Sequence, residues 1–156
     1  MIAEVLNRPG HLARRFQQIA VSVFVAEAEA AGYDLTPVQY AALAALAAVK
    51  AHKGIDQATL AGLIAYDRTT IGGVVDRLEQ KGLVSRRVSA EDRRARVLEI
   101  TVAGKRTLAG IEPAVAAAQK AMLRGLDASE SAQLLRLLRK AIDASNELSR
   151  APMRKG

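Results

Sequence analysis

The sequence predicts a mainly α-helical protein with one small β-hairpin. Half of its 156 residues are hydrophobic but only 3% are aromatic, so alanine, leucine and valine must form the core, and alanine favours helices. Apolar residues recur at helical spacing through most of the chain, whereas strict alternation is confined to two short runs within residues 83–100. The length fits one compact domain with helical extensions.

Two long helices are predicted in the first third of the chain. Pro9 precedes a pattern of apolar residues at every third or fourth position, and this helix ends near Gly32. Thr36 is followed by a proline and, three residues later, by Gln39, which is a capping-box arrangement. The second helix therefore begins after Thr36 and extends to about Ala51. The apolar pattern of the first helix consists of Leu12, Phe16, Ile19, Val23 and Ala26.

Two short helices joined by a tight connection follow. Ile55 can form a very short strand, Asp56 is placed to cap the next helix, and Tyr66 closes that helix. Asp67 is placed to cap the fourth helix, which ends at Gly82 because glycine readily adopts the left-handed conformation of a helix end. Two short helices in close succession form a helix-turn-helix pattern. The apolar face of the fourth helix consists of Ile71, Val74, Val75 and Leu78.

The alternating runs 83–89 and 96–100 predict a β-hairpin after these helices. Its connecting loop contains EDRRAR, an unusual concentration of arginine beside an aspartate. Thr101 is placed to cap a long helix that runs to about Arg124.

Breaks are expected in the C-terminal part of the chain. Gly110 should interrupt the long helix and Pro113 should bend it, because an interior proline removes one backbone hydrogen bond. Asp127 and Glu130 have the spacing of another helix cap, and an amphipathic final helix follows them. The last residues, 151–156, are expected to be frayed.

Composition restricts the possible functions. The absence of cysteine excludes disulfides and thiolate chemistry, and with two histidines, His11 and His52, a metal site is not expected. A formal net charge of +7 and a pI of about 10.1 suggest a polyanionic partner such as nucleic acid. No signal peptide is recognisable, and the apolar run 40–49 is shorter than the ~20 residues that span a bilayer, so a cytoplasmic protein is expected. No catalytic constellation is recognisable either, which argues against an enzyme.

Residues 67–101, DRTTIGGVVDRLEQKGLVSRRVSAEDRRARVLEIT, resemble the winged helix-turn-helix core of the multiple antibiotic resistance regulator (MarR) family. The likeness rests on RLEQKGLVSR, on the aspartate-any residue-arginine motif from Asp92 to Arg94, and on LEIT followed by Gly104. The order of the flanking helices also matches, so the resemblance covers roughly residues 10–148. It implies a bacterial transcription regulator that dimerises through its N- and C-terminal helices. Such regulators often release DNA when a small, frequently aromatic, anionic ligand binds.

By this resemblance, Arg94 is the wing arginine that enters the minor groove, and Asp92 helps to hold the loop that presents it. Arginines at a hairpin tip can reach phosphates or a narrow minor groove, where the negative potential is enhanced. The alternative is a solvated turn with weak internal ion pairs. Polar residues opposite the apolar face of the fourth helix would enter the major groove and contact phosphates or base edges. The candidate DNA-binding residues are Arg68, Thr69, Thr70, Gly73, Arg77, Arg86, Arg87, Asp92, Arg93 and Arg94.

Two details of this surface have alternative interpretations. Gly72 and Gly73 each lower helix propensity by about 1 kcal/mol relative to alanine, which indicates the close approach of another group. That group is either DNA or a neighbouring helix of the same domain. Arg86 either contacts phosphates or braces the hairpin.

A polar stripe on the first helix is a candidate effector site. The stripe consists of four residues at spacings of four, three and four: His11, Arg15, Gln18 and Ser22. In the resembling family, the effector cleft lies between the dimerisation helices and the DNA-binding lobe. Arg15 can pair with a carboxylate, with Arg14 as the competing choice, while Phe24 and Tyr40 can supply aromatic walls. The alternative is a solvated helix face or a polar cluster at a dimer interface. The candidate ligand-binding residues are His11, Arg15, Gln18, Ser22, Phe24 and Tyr40.

The sequence therefore predicts a single MarR-like chain with a DNA-binding lobe at residues 34–101 and dimerisation helices at residues 9–32 and 102–149. We expect a sequence-specific double-stranded DNA-binding regulator that binds a pseudo-palindromic site as a homodimer, most simply a repressor released by a small aromatic acid. It would need no cofactor, metal or membrane. The alternative is a winged-helix protein-interaction or scaffolding module without a ligand response. The stripes expected to require a partner subunit are Leu108, Ile111 and Val115 on one helix and Leu134, Leu138 and Ile142 on the last.

Overall fold

A computed structural model describes residues 1–49 and 53–155 of the chain. Within these ranges the predicted fold class is confirmed, because helices dominate and one antiparallel pair of strands forms a wing. The second predicted helix ends at Ala48, and Val49 after it has extended backbone, so this helix is shorter than the predicted end at about Ala51. Residues 50–52 lie outside the description, and so does the position of His52. The elements are α1 (Ile2–Leu6), α2 (Pro9–Ala30), α3 (Pro37–Ala48), α4 (Gln57–Leu63), α5 (Ile71–Gln80), β1 (Val84–Val88), β2 (Arg96–Ile100), α6 (Val102–Met122) and α7 (Ala128–Ala144), followed by a short 3-10 turn (Asn146–Leu148).

The predicted helix starts are confirmed at four positions, where a side-chain oxygen accepts a backbone N–H in the first turn. Thr36 and Gln39 form the reciprocal capping box of α3, with distances of 3.3 and 3.2 Å. Asp56 caps α4 and Thr101 caps α6 in the same way. Asp127 begins α7 with a second capping box. Each cap contributes about 0.5–2 kcal/mol, so short local motifs determine where these helices begin.

The helices pack into two regions joined by α6. The first contains α2 against α6, with Phe24 and Ala28 buried between them. The second contains α3, α4, α5 and the wing, whose fully buried side chains include Leu43, Leu60 and Leu78. Ile55, which was predicted to form a very short strand, forms an isolated antiparallel bridge with Leu98 of β2. The wing is thereby attached to the loop before α4.

Two close approaches fix α6 in this arrangement. A side chain at Gly104 would collide with the carbonyl oxygen of Leu83, so the start of α6 can lie directly against the start of the wing. Gly110 similarly leaves room for the hydroxyl of Tyr33. The predicted interruption at Gly110 is wrong, because α6 continues through Gly110 and Pro113. Gly110 instead allows Tyr33 to pack closely against α6. The bend expected at Pro113 stays a prediction.

The predicted apolar stripes are covered to different extents within the chain. Ile111 and Val115 of α6 are buried, so the prediction that this stripe requires a partner subunit is wrong; α2 packs against α6. By contrast, α7 buries none of its residues, and Ile142 is 61% exposed. Leu12 and Ile19 on the first half of α2 are exposed as well. An uncovered apolar surface thus remains on α2 and α7.

The C-terminal residues depart from the predicted frayed end. The backbone N–H of Arg154 donates to the carbonyl of Gly62 in α4 at 2.8 Å. The side chain of Asn146 accepts from the N–H of Met153 at 2.8 Å and donates to its carbonyl at 3.1 Å. These bonds fold the chain end back onto the helix-turn-helix, so the expectation of fraying is wrong for residues 151–155.

Two further properties concern the described residues as a whole. None of the helices that the structure describes is long and apolar enough to cross a membrane. Within residues 1–49 and 53–155, no cluster of three or more His, Cys, Asp or Glu side chains is placed to hold a metal ion.

Candidate nucleic-acid interface

Helix α5 has one buried side and one exposed side. Ile71, Val74 and Leu78 pack into the core of the lobe, as predicted from their spacing. The opposite side and the turn before the helix project into solvent. This arrangement leaves a ridge of polar and small residues free to enter a DNA groove. The exposed residues on it are Arg68, Thr69, Thr70, Gly73 and Arg77.

The turn before α5 is organised by Asp67. Its Oδ1 accepts hydrogen bonds from the backbone N–H of Thr69 at 2.9 Å and from the Thr69 hydroxyl at 2.7 Å. These bonds, with a smaller contribution from the guanidinium of Arg150, lower the pKa of Asp67 below its ordinary value. The helix begins at Ile71 with Thr70 as N-cap, so Asp67 holds the preceding turn rather than the helix end that the sequence predicted. Thr69 is therefore fixed in position at the edge of the exposed ridge.

The adjacent glycines of α5 have different surroundings. A Cβ atom at Gly72 would lie 3.3 Å from Nε2 of Gln57, so this glycine accompanies the contact between α4 and α5. A Cβ atom at Gly73 would meet no atom within 4 Å among the residues that the structure describes. Packing within the lobe therefore accounts for Gly72 alone. Close approach to a partner is the remaining interpretation for Gly73.

The wing is a regular antiparallel hairpin, in which Val84 pairs with Ile100 and Val88 with Arg96. Its tip is closed by a backbone hydrogen bond of 3.0 Å from Ser89 to Ala95. These contacts give the loop between the strands a defined base.

Asp92 shapes the tip of the wing, as predicted. Its Oδ1 accepts the backbone N–H of Arg94 at 2.9 Å, and its carbonyl accepts the N–H of Ala95 at 3.0 Å. The hydroxyl of Ser89 supports the same loop by accepting the backbone N–H groups of Glu91 and Asp92. The Asp92 carboxylate thus binds the backbone of the loop, while the side chains of Arg93 and Arg94 beside it are exposed to solvent.

Four arginines of the wing divide into two pairs. Arg93 and Arg94 are exposed, and neither makes a side-chain hydrogen bond or ion pair with any residue that the structure describes. Arg86 instead contacts Asp76 at 2.5 Å and Glu79 at 3.3 Å, both on α5. Arg87 pairs with Glu99 of β2 at 3.0 Å. The bracing alternative for Arg86 is therefore favoured, since its guanidinium ties the wing to α5.

The aromatic residues of the predicted effector site lie together. The rings of Phe24 and Tyr40 are 5.7 Å apart at a tilt of 53°. The Tyr40 hydroxyl donates to Oε2 of Glu112 at 3.2 Å. Burial, followed by the nearby Glu112 carboxylate, raises the pKa of Tyr40. Phe24 is only 5% exposed, so it lies beneath Tyr40 in the core, and Glu112 is a residue of this region that the sequence did not indicate.

The polar stripe of α2 lies on the surface of the chain. Arg15, Gln18 and Ser22 are exposed and His11 is half-buried. Arg14, the competing choice for Arg15, donates to Gln18 at 3.2 Å and is thereby oriented along the helix. Two cavities of about 820 and 370 Å³ lie elsewhere, the first beside α4 and the second along α7.

Comparison with known proteins agrees with this geometry. A sequence model of the MarR family matches residues 33–95. The HTH-type transcriptional repressor NicR of Pseudomonas putida is 33% identical over 141 residues, which cover 90% of this chain and 86% of NicR.

Two solved structures have the same fold over nearly the whole chain. The PcaV transcriptional regulator from Streptomyces coelicolor, in complex with its natural ligand, has a TM-score of 0.76 and 33% identity, covering 90% of this chain and 96% of PcaV. Bordetella bronchiseptica BpsR, whose DNA binding is regulated by 6-hydroxynicotinic acid, has a TM-score of 0.78 and 26% identity, covering 88% and 95%. The chain described here therefore belongs to the MarR family of winged helix-turn-helix, DNA-binding transcriptional regulators.

Proposed function

We propose that this regulator is a homodimeric repressor that inserts α5 into the major groove and Arg94 of the wing into the adjacent minor groove. The observation that carries the proposal is the exposed, partner-free state of Arg93 and Arg94 on a loop that Asp92 holds in place, among the residues described. A guanidinium that makes no internal ion pair need not break one to reach DNA. A pre-formed loop also loses less conformational entropy on binding.

Of the other candidate residues, some contact DNA in this proposal and one positions the wing. Arg68, Thr70 and Arg77 contact base edges or phosphates, since they project from the exposed ridge of α5. Arg86 positions the wing through Asp76 and Glu79 rather than contacting DNA. The lobe at residues 34–101 supplies all of these contacts. We assign no catalytic activity to the protein, and we expect it to act on DNA in the cytoplasm.

Dimerisation would use the helices outside that lobe, at residues 9–32 and 102–149. The exposed apolar residues of α2 and α7, among them Ile19 and Ile142, provide the surface to be covered. A two-fold dimer presents two copies of α5 to successive major grooves. The expected operator is a pseudo-palindrome with half-sites about one helical turn, ~34 Å, apart.

The ligand we propose is a small aromatic carboxylate. The DNA binding of BpsR is regulated by 6-hydroxynicotinic acid, so a hydroxylated aromatic acid as effector has a precedent among similar proteins. NicR provides the precedent for repression. In this chain, Arg15 is exposed and makes no ion pair within the described residues, so it can bind the carboxylate. Glu112 accepts from Tyr40, so a phenolic or ring-nitrogen substituent would bind there better than a second anionic group. His11, Gln18 and Ser22 complete the polar side of the site.

The DNA-binding part is tested by comparing Arg94→Ala with the parent on a duplex from the region flanking the gene. We expect a loss of about 1–3 kcal/mol in binding free energy, with the fold unchanged. Arg124→Ala is the matched control, because Arg124 is exposed and follows the end of α6 that is remote from the wing; this helix of 21 residues is roughly 30 Å long at 1.5 Å per residue. Equal affinities for Arg94→Ala and Arg124→Ala would remove the wing from the mechanism. Duplex binding by the parent that does not weaken as salt rises would favour a scaffolding role instead.

The ligand part is tested by titrating aromatic carboxylates into the protein–DNA complex. A coupling of about 1–3 kcal/mol would lower DNA affinity roughly 5- to 150-fold. Arg15→Ala should abolish this response while DNA binding without ligand is retained, and Arg14→Ala, which tests the competing cation, should keep the response. Unchanged ligand affinity in Arg15→Ala, His11→Ala and Gln18→Ala would show that the stripe is a solvated face.

A further inference from the structure

The C-terminal segment, residues 149–155, is held against the helix-turn-helix by specific contacts. The Arg154 backbone donates to Gly62 of α4, and a Cβ atom at Gly62 would lie only 3.0 Å from Cβ of Arg154. The absence of a side chain at Gly62 thus permits the approach. Asn146 holds the Met153 backbone at both its N–H and its carbonyl. These contacts bring the segment to a definite position on α4.

The segment also reaches the turn that precedes α5. Arg150 contacts Oδ2 of Asp67 at 3.0 Å, while Oδ1 of the same carboxylate holds Thr69. A cavity of about 820 Å³ lies between the segment and α4, and Arg68 and Lys155 are both part of its wall. The segment is therefore continuous with the N-terminal edge of the exposed ridge of α5.

The charge of the segment is one-sided. It contains Arg150, Arg154 and Lys155 and no acidic residue. The side chain of Arg150 is 88% exposed and that of Arg154 is 65% exposed, even though each has a carboxylate neighbour, Asp67 and Glu147 respectively. The Arg154–Glu147 pair is exposed at both residues and is worth little, about 0–1 kcal/mol, so Arg154 can exchange its carboxylate for a phosphate. The Asp67 carboxylate is only 22% exposed, but the guanidinium of Arg150 has further N–H donors that can bind a phosphate while this contact is kept.

In helix-turn-helix complexes, the second helix enters the major groove and the first helix crosses the sugar-phosphate backbone. Here the first helix is α4, and the C-terminal segment lies on it. The three cations consequently lie beside the helix that crosses the DNA backbone in such complexes. The segment contains no acidic residue that would repel the phosphates.

We propose that the C-terminal segment is a second DNA-contacting element, in which Arg150, Arg154 and Lys155 bind backbone phosphates beside the half-site read by α5. The inference rests on the proposed function, because it requires that α5 binds DNA. The element adds affinity that does not depend on base sequence, since phosphates carry no sequence information. Its basic residues complement the wing, which reaches the DNA at the other end of the lobe.

The test is a salt titration of operator binding by the full chain carrying Arg154→Ala and Lys155→Ala together. Each lost phosphate contact lowers the slope of log K against log salt by about 0.9, and a dimer displays the two cations twice, so the slope should fall by about 2 to 4. Affinity should fall equally for the operator and for a scrambled duplex. The matched control is Lys120→Ala with Arg124→Ala, which removes the same charge from exposed positions at the far end of α6.

The inference is overturned if the tail variant keeps the parent slope, or if the control variant loses as much slope as the tail variant. A chain ending at Leu148 gives a second measurement and should lose at least as much slope as the double variant. A parent protein without salt-dependent duplex binding would refute the proposed function, and this inference with it. Normal parent binding together with an unchanged tail variant would refute the tail element alone.

Discussion

Replacing Gly73 with alanine should make the protein more stable and its DNA binding weaker. The added methyl group meets no described atom within 4 Å, so it causes no collision in the free protein. Alanine at this position of α5 restricts the unfolded backbone and should stabilise the fold by about 0.5–1 kcal/mol. For a chain of this size, 1 kcal/mol raises Tm by roughly 2–4 °C, so the expected increase is about 1–4 °C.

The same methyl group lies on the side of α5 that we place in the major groove. If the groove approaches the helix as closely as a glycine permits, an extra methyl must displace either the helix or the DNA. Overpacking of this kind costs about 1–3 kcal/mol in tightly packed contacts, which corresponds to roughly 5- to 150-fold in affinity. A stability gain joined to a binding loss separates this effect from general damage to the fold.

The assay pairs thermal unfolding with operator binding for Gly73→Ala and for two reference variants. Gly104→Ala should lower Tm, because its Cβ atom would collide with the backbone carbonyl of Leu83. Gly72→Ala should gain less stability than Gly73→Ala, because its Cβ atom would lie 3.3 Å from Nε2 of Gln57 and displacing that side chain offsets part of the gain. Undiminished operator affinity in a stabilised Gly73→Ala protein would refute the proposed close approach, and a lowered Tm would refute the view that this site is open.

Two further predictions concern assembly and pH. Ile142→Asp should shift the protein toward monomer, as measured by light scattering, because a charge would be buried in the proposed dimer interface at a cost of several kcal/mol. The control, Gln133→Asp on the same helix, should remain dimeric. A parent protein that is a stable monomer at micromolar concentration would contradict the interface. Asp67→Asn should flatten the acid side of the stability profile in denaturant titrations. The lowered pKa of Asp67 means that its carboxylate stabilises the folded state above the ordinary value of 3.8 and loses this effect as pH falls through the folded value. An identical loss of stability on acidification in Asp67→Asn and the parent would argue against this linkage.

Features that arise within a few residues of the chain were predictable from the amino-acid pattern. The caps at Thr36 and Asp127 and the loop bond from Arg94 to Asp92 each join residues two or three positions apart. The exposed ridge of α5 follows from helical periodicity alone. Local motifs of this kind carry their own hydrogen bonds, so the winged helix-turn-helix and most of its candidate DNA contacts were predictable.

Features that depend on residues far apart in the chain became visible only in the folded protein. Arg86 had two possible roles, and its place opposite Asp76 and Glu79 of α5 favours bracing. Likewise, Ile111 was expected to need a second subunit, but it is fully buried within the chain, where α6 packs against α2 and α3. The C-terminal segment was expected to fray, yet Gly62 accepts a hydrogen bond from it across more than half the chain. Such contacts depend on how whole helices pack, and apolar periodicity shows that a face will be buried without showing what will bury it.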